Sequence, residues 1–279
     1  MVITCNAKIN IGLEILNKRY DDYHNINTIF RKICLSDELI LEENDTFEFV
    51  FNANFDIPDK DNIAFKAAQQ FMKLHRLNDL PVKLTINKKI PAGAGLGGGS
   101  SDAAMTLIGL HKFFNLPLDR ERLMRTAVDL GADVPFFLLE TKTALATGLG
   151  EELKEIELNL PYYILLVLPD VHISTADAYA SLKRNYGKIS PSDYLSALET
   201  AGKSPEKMKG LFKNDFEDYV FAKNPELKQI KNELYQNGAF FAQMSGSGSA
   251  FYGFFRSKTA VELAVKNFKQ YRTHICPPD

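Results

Sequence analysis

The stretch Pro91-Ala92-Gly93-Ala94-Gly95-Leu96-Gly97-Gly98-Gly99-Ser100-Ser101-Asp102-Ala103-Ala104 limits what this chain can be more than any other part of it. Five glycines in seven residues strip the backbone of side-chain cover, so it can take positive φ and lie close to a ligand. Val82, Leu84 and Ile86 alternate ahead of the loop and predict a strand entering it. Behind it, Ala103, Ala104, Leu107, Ile108, His111 and Phe114 recur at helical spacing, with Ser100 and Ser101 where an N-cap belongs. A glycine loop feeding a helix N-terminus offers amide donors and the positive end of a helix dipole, which together make a phosphate cradle. A plain linker is also glycine-rich, but it is not framed by a strand and a capped helix.

Two standard phosphate motifs do not fit. A Walker loop needs Gly-Lys-Ser/Thr after its second glycine, and here Gly98 is followed by Gly99-Ser100. Gly93, Gly95 and Gly98 satisfy Gly-x-Gly-x-x-Gly, but a dinucleotide fold also needs an acid closing a second strand. Asp119 follows Leu116-Pro117-Leu118 and heads another helix, so that strand is missing. A dinucleotide-dependent oxidoreductase is disfavoured for this reason.

At 279 residues the chain suits one large domain or two modest ones, and a formal charge of −2 gives no electrostatic case for nucleic acid. No signal-like leader opens the sequence and no apolar run reaches a membrane-spanning length, so a cytoplasmic protein is expected. Cys5, Cys34 and Cys276 lack Cys-x-x-Cys spacing and a histidine cluster, and read as buried free thiols with no zinc site.

Ala7, Ile9, Ile11, Leu13 and Ile15 alternate with Lys8, Asn10, Gly12 and Glu14, a half-buried strand with Lys8 and Asn10 on its polar face. A polar turn over 17–24 leads to a second strand through Ile26, Thr28 and Phe30. Phe47, Phe49 and Phe51 predict another strand, and 62–74 a helix. Asp119 heads a helix ending at Gly131, and Asp133 follows among Ala132, Val134, Pro135, Phe136 and Phe137. A carboxylate in that apolar setting is either a structural cap or a catalytic acid–base. A strand over 162–168 turns through His172 and Ser174 into a helix carrying Thr175 and Tyr179. Residues 185–205 read as a mobile polar excursion and 225–237 as a helix. Met244-Ser245-Gly246-Ser247-Gly248-Ser249-Ala250 separates two strand-like runs, and 257–271 reads as one long final helix. The second glycine stretch is either a tight turn or a further set of amides near the phosphate loop. Strands, a helix and more strands favour an α+β sheet over repeated βαβ winding.

Pro91 to Ala104 resembles the signature loop of the kinase superfamily of galactokinase, homoserine kinase, mevalonate kinase and phosphomevalonate kinase, the GHMP kinases. Ala7-Lys8-Ile9-Asn10, Tyr23-His24, Gly131 to Phe137 and Met244 to Gly248 narrow the resemblance to the branch acting on 4-diphosphocytidyl-2-C-methyl-D-erythritol. The resemblance implies a two-domain α+β fold, an N-terminal ATP-binding domain over 1–154 and a C-terminal domain over 155–279, with ATP and substrate in the cleft between them. It implies ATP and Mg²⁺, and transfer of the γ-phosphate to the 2-hydroxyl of the methylerythritol moiety, in non-mevalonate synthesis of isoprenoid precursors. Lys8 and Asp133 match the catalytic pair, and Pro91, Ala92, Gly93, Ala94, Gly95, Leu96, Gly97, Gly98, Gly99, Ser100 and Ser101 match the ATP loop. Asn10, Tyr23, His24, Thr175 and Tyr179 match substrate positions, and Gly246, Ser247 and Gly248 the second glycine motif. The partner implied is a small molecule, without nucleic acid or membrane, for a monomer or weak homodimer.

The turn before Tyr23 carries Asp21-Asp22 where the family has Asp-Gly, and aspartate tolerates positive φ better than most residues. Two other readings stand beside this one. Another small-molecule kinase of the superfamily would not need Tyr23, His24 and Tyr179, and a catalytically inactive nucleotide-binding regulator would be expected to lack Lys8 or Asp133.

Overall fold

The structure is a computed structural model that describes residues 1–182 and 190–279. In chain order it runs β1 (Val2–Lys18), β2 (His24–Glu43), β3 (Glu48–Asn52), α1 (Ile63–His75), β4 (Val82–Asn87), α2 (Gly98–Phe113), α3 (Arg120–Leu130) and α4 (Val134–Leu138). It continues with β5 (Thr143–Thr147), β6 (Glu152–Glu155), β7 (Tyr163–Leu168), α5 (Thr175–Ser181), α6 (Tyr194–Lys203), α7 (Met208–Leu211) and α8 (Glu217–Lys223). The last elements are α9 (Pro225–Gln236), β8 (Phe241–Met244), β9 (Phe251–Phe255), α10 (Lys258–Val265) and β10 (Arg272–Cys276). Helices and mixed sheets give the α+β class expected. No helix among the described residues is long and apolar enough to cross a membrane.

The chain divides into two compact units that interleave in sequence: Met1–Ala7, Leu35–Ala92 and Gly97–Glu140 form one, and Lys8–Cys34, Gly93–Leu96 and Thr141–Asp279 the other. A single cut near residue 154 therefore does not separate these units, because β1, β2 and the glycine loop each supply residues to both.

In the first unit, the C-terminal half of β2 pairs antiparallel with β4, and β3 adds in parallel to the far side of β4. Helix α1 begins as expected, with Asn62 capping the Ala64 amide, and packs on α2. Helix α2 does not use the expected serine cap. Gly97 occupies the N-cap at φ +67°, and no side chain caps this end. A glycine reaches that left-handed geometry without strain, so the helix starts inside the glycine run and Ser101 is carried into its first turn, where it is buried.

Beneath the loop lies an ion triad that no local sequence pattern reveals. The Lys88 ammonium bridges Asp37 and Asp102, 2.6 Å from the latter, and Asp37 also accepts from the Lys89 and Ile90 amides. Burial is the main force lifting the Asp102 carboxyl to about 7, and the Lys88 charge only partly opposes it. Folded Asp102 thus holds its proton to higher pH than the unfolded chain does. Its contribution to stability is complete below the ordinary carboxylate range and lost as pH rises through about 7. Asp102→Asn is expected to flatten the fall in Tm between about pH 5 and pH 8. A variant whose Tm follows the parent's pH profile would rule out this linkage.

In the second unit, the N-terminal half of β2 pairs with β5, and β5 with β6. A separate four-stranded sheet runs β10-β7-β9-β8, all antiparallel. Its core is aliphatic and aromatic, including Leu165, Val167, Phe251 and Phe255 from the sheet and Phe216, Leu227, Ile230 and Leu234 from α8, α9 and the turn before them.

Four expectations are corrected here. The strand 7–15 is not half-exposed: Ala7 to Leu13 are buried on both faces, and Lys8 is only 4% exposed. The helix over 257–271 stops at Val265: the residues after it run as tight turns, with the Phe268 amide on the Val265 carbonyl and the Tyr271 amide on the Phe268 carbonyl, and β10 follows on the edge of β7. Residues 185–189 of the supposed polar excursion lie outside the described residues, while Tyr194–Lys203 is an ordered helix capped by Asp193. Cys34 is exposed, and it meets His274 and Cys276, which only the fold brings near it.

Candidate active site

Lys8, Asn10 and Thr28 form a buried polar chain in the second unit. The Lys8 ammonium donates to Asn10 Oδ1 at 2.7 Å and lies 4.9 Å from the Phe30 ring centroid. Asn10 Nδ2 donates to Thr28 Oγ1 at 3.0 Å, and the Thr28 hydroxyl donates in turn to the Gly12 carbonyl. A buried ammonium must be held by such partners, and this arrangement fixes where its charge sits.

Two glycine segments of the same unit meet beside it. The Lys8 amide donates to the Leu96 carbonyl at 2.9 Å, and the Ala250 amide to the Ala94 carbonyl at 3.2 Å. Ser245 Oγ donates to the Gly95 carbonyl at 2.9 Å and accepts from the Asn10 amide at 3.3 Å. A Cβ on Gly95 would stand 2.0 Å from the Ser245 carbonyl oxygen, and one on Gly246 would stand 3.1 Å from Gly95 Cα. The stretch over 244–250 is thus more than a tight turn: it presses its backbone against the first glycine loop. Within that loop Gly93, Gly95 and Gly97 all have positive φ, the alternation that turns successive amides toward one side.

On the same unit, the His24 and Tyr179 rings stack with centroids 5.3 Å apart and planes 25° from parallel, and Tyr179 stands edge-on to Phe216. The two rings already lie against one another, so a base entering between them would have to part them. Tyr23 is 64% exposed at the turn. Asp22 adopts φ +67° there, the left-handed geometry that a glycine would take without strain and aspartate takes at a modest cost. The Thr175 and Ser247 hydroxyls lie 2.8 Å apart, which joins the start of α5 to the second glycine segment.

Asp133 belongs to the first unit. It occupies the N-cap position of α4 but makes no capping hydrogen bond, and Val134, Pro135, Phe136 and Phe137 beside it are buried. The structural-cap reading of this carboxylate therefore loses its support. In α2, the Ser101 hydroxyl is buried with no hydrogen-bond partner among the described residues. A hard oxygen donor left unsatisfied in the turn that opens this helix fits Mg²⁺ carried on a triphosphate.

Several supporting residues escaped sequence reasoning. Gln243 Oε1 accepts from the Gly12 amide at 2.8 Å, and Tyr252 donates to the Asn10 carbonyl at 2.7 Å. Asn214 donates to the Met244 and Gly246 carbonyls, holding the second glycine segment from below. Tyr194 covers Gly12, where a Cβ would come within 2.7 Å of its ring. Tyr252 and Gln243 sit in apolar strand runs, where a polar atom is the signal that could have found them. Nothing local marks Asn214 or Tyr194.

The GHMP kinases N terminal domain model matches residues 62–141 and the GHMP kinases C terminal model residues 195–272. A 4-diphosphocytidyl-2-C-methyl-D-erythritol kinase of Chlorobium luteolum is 39% identical over 98% of this chain and 95% of its own length. The same-named protein of Chlorobium limicola is 40% identical, again covering 98% of this chain and 95% of its own. A crystal structure of 4-(cytidine 5'-diphospho)-2C-methyl-D-erythritol kinase superposes with a TM-score of 0.83 at 31% identity, covering 99% of this chain and 98% of that one. Homoserine kinase from Cytophaga hutchinsonii, at 15% identity and a TM-score of 0.73, shares the fold. This chain belongs to the 4-diphosphocytidyl-2-C-methyl-D-erythritol kinase family of the GHMP kinases.

Proposed function

We propose that this chain transfers the γ-phosphate of ATP to the 2-hydroxyl of 4-diphosphocytidyl-2-C-methyl-D-erythritol, a cytoplasmic step of non-mevalonate isoprenoid precursor synthesis performed by a monomer or weak homodimer. Family membership supplies the reaction. The observation that supports it most directly is the buried Lys8, its ammonium held by Asn10 and its own amide bonded to the glycine loop.

Phosphoryl transfer is mostly positioning plus stabilisation of charge on the moving group. Residues 91–101 supply amide donors and the α2 N-terminus for the triphosphate, and Gly246, Ser247 and Gly248 support that loop. Lys8 brings a point charge toward the transferring phosphoryl group without needing to reorganise. Asp133 accepts the proton of the attacking hydroxyl or orients that hydroxyl. Ser101 is the side chain that would hold Mg²⁺, which neutralises triphosphate charge when bound.

His24 and Tyr179 receive the cytosine, Tyr23 borders it, and Asn10 and Thr175 contact the substrate body. Tyr179→Ala is expected to raise the substrate Kd roughly 5- to 150-fold and leave ATP affinity unchanged, since stacking a base on an aromatic is worth about 1–3 kcal/mol. Tyr179 also packs on Phe216, so Tm is measured alongside. A fall in Tm with both affinities weakened together would mean a packing role only.

The function is tested by mixing the chain, ATP with Mg²⁺, and the diphosphocytidyl methylerythritol, then following ADP release. ADP release with mevalonate or homoserine but not with the cytidine substrate would favour another superfamily kinase. Nucleotide binding without any turnover would favour a regulator.

A further inference from the structure

Cys34 lies on β2, and His274 and Cys276 lie on β10, all in the second unit. The two β10 residues are two positions apart on a strand and therefore share one face. The register of β10 on β7, with His274 opposite Leu166 and Cys276 opposite Ile164, fixes that face. Across from it, the Cys34 thiol sits 3.4 Å from His274 Nε2 and donates to the Ile275 carbonyl at 3.8 Å. One donor atom from each of Cys34, His274 and Cys276 falls within 4.8 Å of the others.

We propose that Cys34, His274 and Cys276 form a binding site for a thiophilic ion of the Zn²⁺ class. A tetrahedral ion with two thiolates and one imidazole separates its ligand atoms by about 3.5–3.8 Å, given metal–ligand bonds of about 2.0–2.3 Å. The Cys34–His274 separation is already close to that, and small side-chain torsions close the rest. Two sulfurs and an imidazole select against Mg²⁺ and Ca²⁺, which prefer oxygen. Cys276 is buried while Cys34 is exposed, so the cluster has a buried base and an open side through which an ion can enter. Such an ion would tie the last strand of the chain to β2. None of the three residues belongs to the phosphoryl-transfer machinery, so the site stands or falls apart from it.

The test uses the untagged full chain, reduced and stripped with chelator, titrated with Zn²⁺ against a chromophoric competitor. One equivalent is expected to bind, and Co²⁺ is expected to give a thiolate charge-transfer band. Cys34→Ser and His274→Gln, both at accessible positions, should each weaken Zn²⁺ at least about 100-fold. Saturating Zn²⁺ should raise the parent's Tm by about 5 °C and neither variant's. The proposal is overturned if the parent binds no equivalent, or if both variants bind Zn²⁺ as the parent does. It is equally overturned if the aerated parent in Zn²⁺ keeps only the Cys5 thiol, which would make Cys34 and Cys276 a disulfide pair.

Discussion

Asp133→Asn is expected to lower kcat at least ~10²-fold while leaving ATP affinity within about twofold. The amide preserves the shape of the carboxylate but cannot take a proton. Asp133 stands at the head of α4 without capping it, so the substitution removes no helix-terminal hydrogen bond. Loss of a real cap would cost about 1 kcal/mol. At this chain length that amounts to a few degrees in Tm, about 2–4 °C. The decisive comparison therefore sets turnover against melting temperature. A large fall in kcat at unchanged Tm makes Asp133 the acceptor or positioner of the substrate hydroxyl. Near-normal kcat with a lower Tm would return it to a structural role and remove the base from the proposed mechanism.

What the sequence makes legible is whatever is encoded locally. Period-two alternation located β1, β3 and β4, and helix α1 lies within a residue of its expected start because Asn62 is both a cap by chemistry and a cap in fact. The glycine loop was readable because its composition permits little else between a strand and a helix. The Asp21-Asp22 turn was readable because few residues other than glycine reach φ +67° at tolerable strain. Long-range pairing is not encoded that way. Arg272 to Cys276 carries too short an alternation to announce a strand by itself, and is one because β7 offers an edge. The cysteines looked unrelated since 240 residues separate Cys34 from His274. The Asp37–Lys88–Asp102 triad was invisible because each charge, taken singly, passes for a surface residue. The candidate site divides along the same line: Lys8 and the glycines of both segments stand in motifs, whereas Thr28, Asn214, Gln243 and Tyr252 hold that part together through contacts made only on folding.

Gly95→Ala tests whether the meeting of the two glycine segments is a requirement or an accident of close packing. Gly95 has φ +75°, which costs an L-residue about 1 kcal/mol or more, and its new methyl would stand 2.0 Å from the Ser245 carbonyl oxygen. That neighbour is backbone, tied by Asn214 through Met244 and Gly246, so it cannot swing aside as a side chain would. Overpacking of this kind typically costs about 1–3 kcal/mol, and with the strain the expected loss is about 3 kcal/mol, or roughly 10 °C in Tm. If the chain yields by moving the loop instead, the cost shifts from stability to ATP affinity, which should weaken at least about tenfold per 1.4 kcal/mol so spent. Gly202→Ala is the matched control, since Gly202 lies within α6, has no left-handed φ and has nothing within 4 Å of its new methyl. That variant should match or slightly exceed the parent in Tm, because alanine is the better helix former. If Gly95→Ala behaves like Gly202→Ala in both Tm and ATP affinity, the two segments tolerate separation and the second one has no part in shaping the phosphate loop.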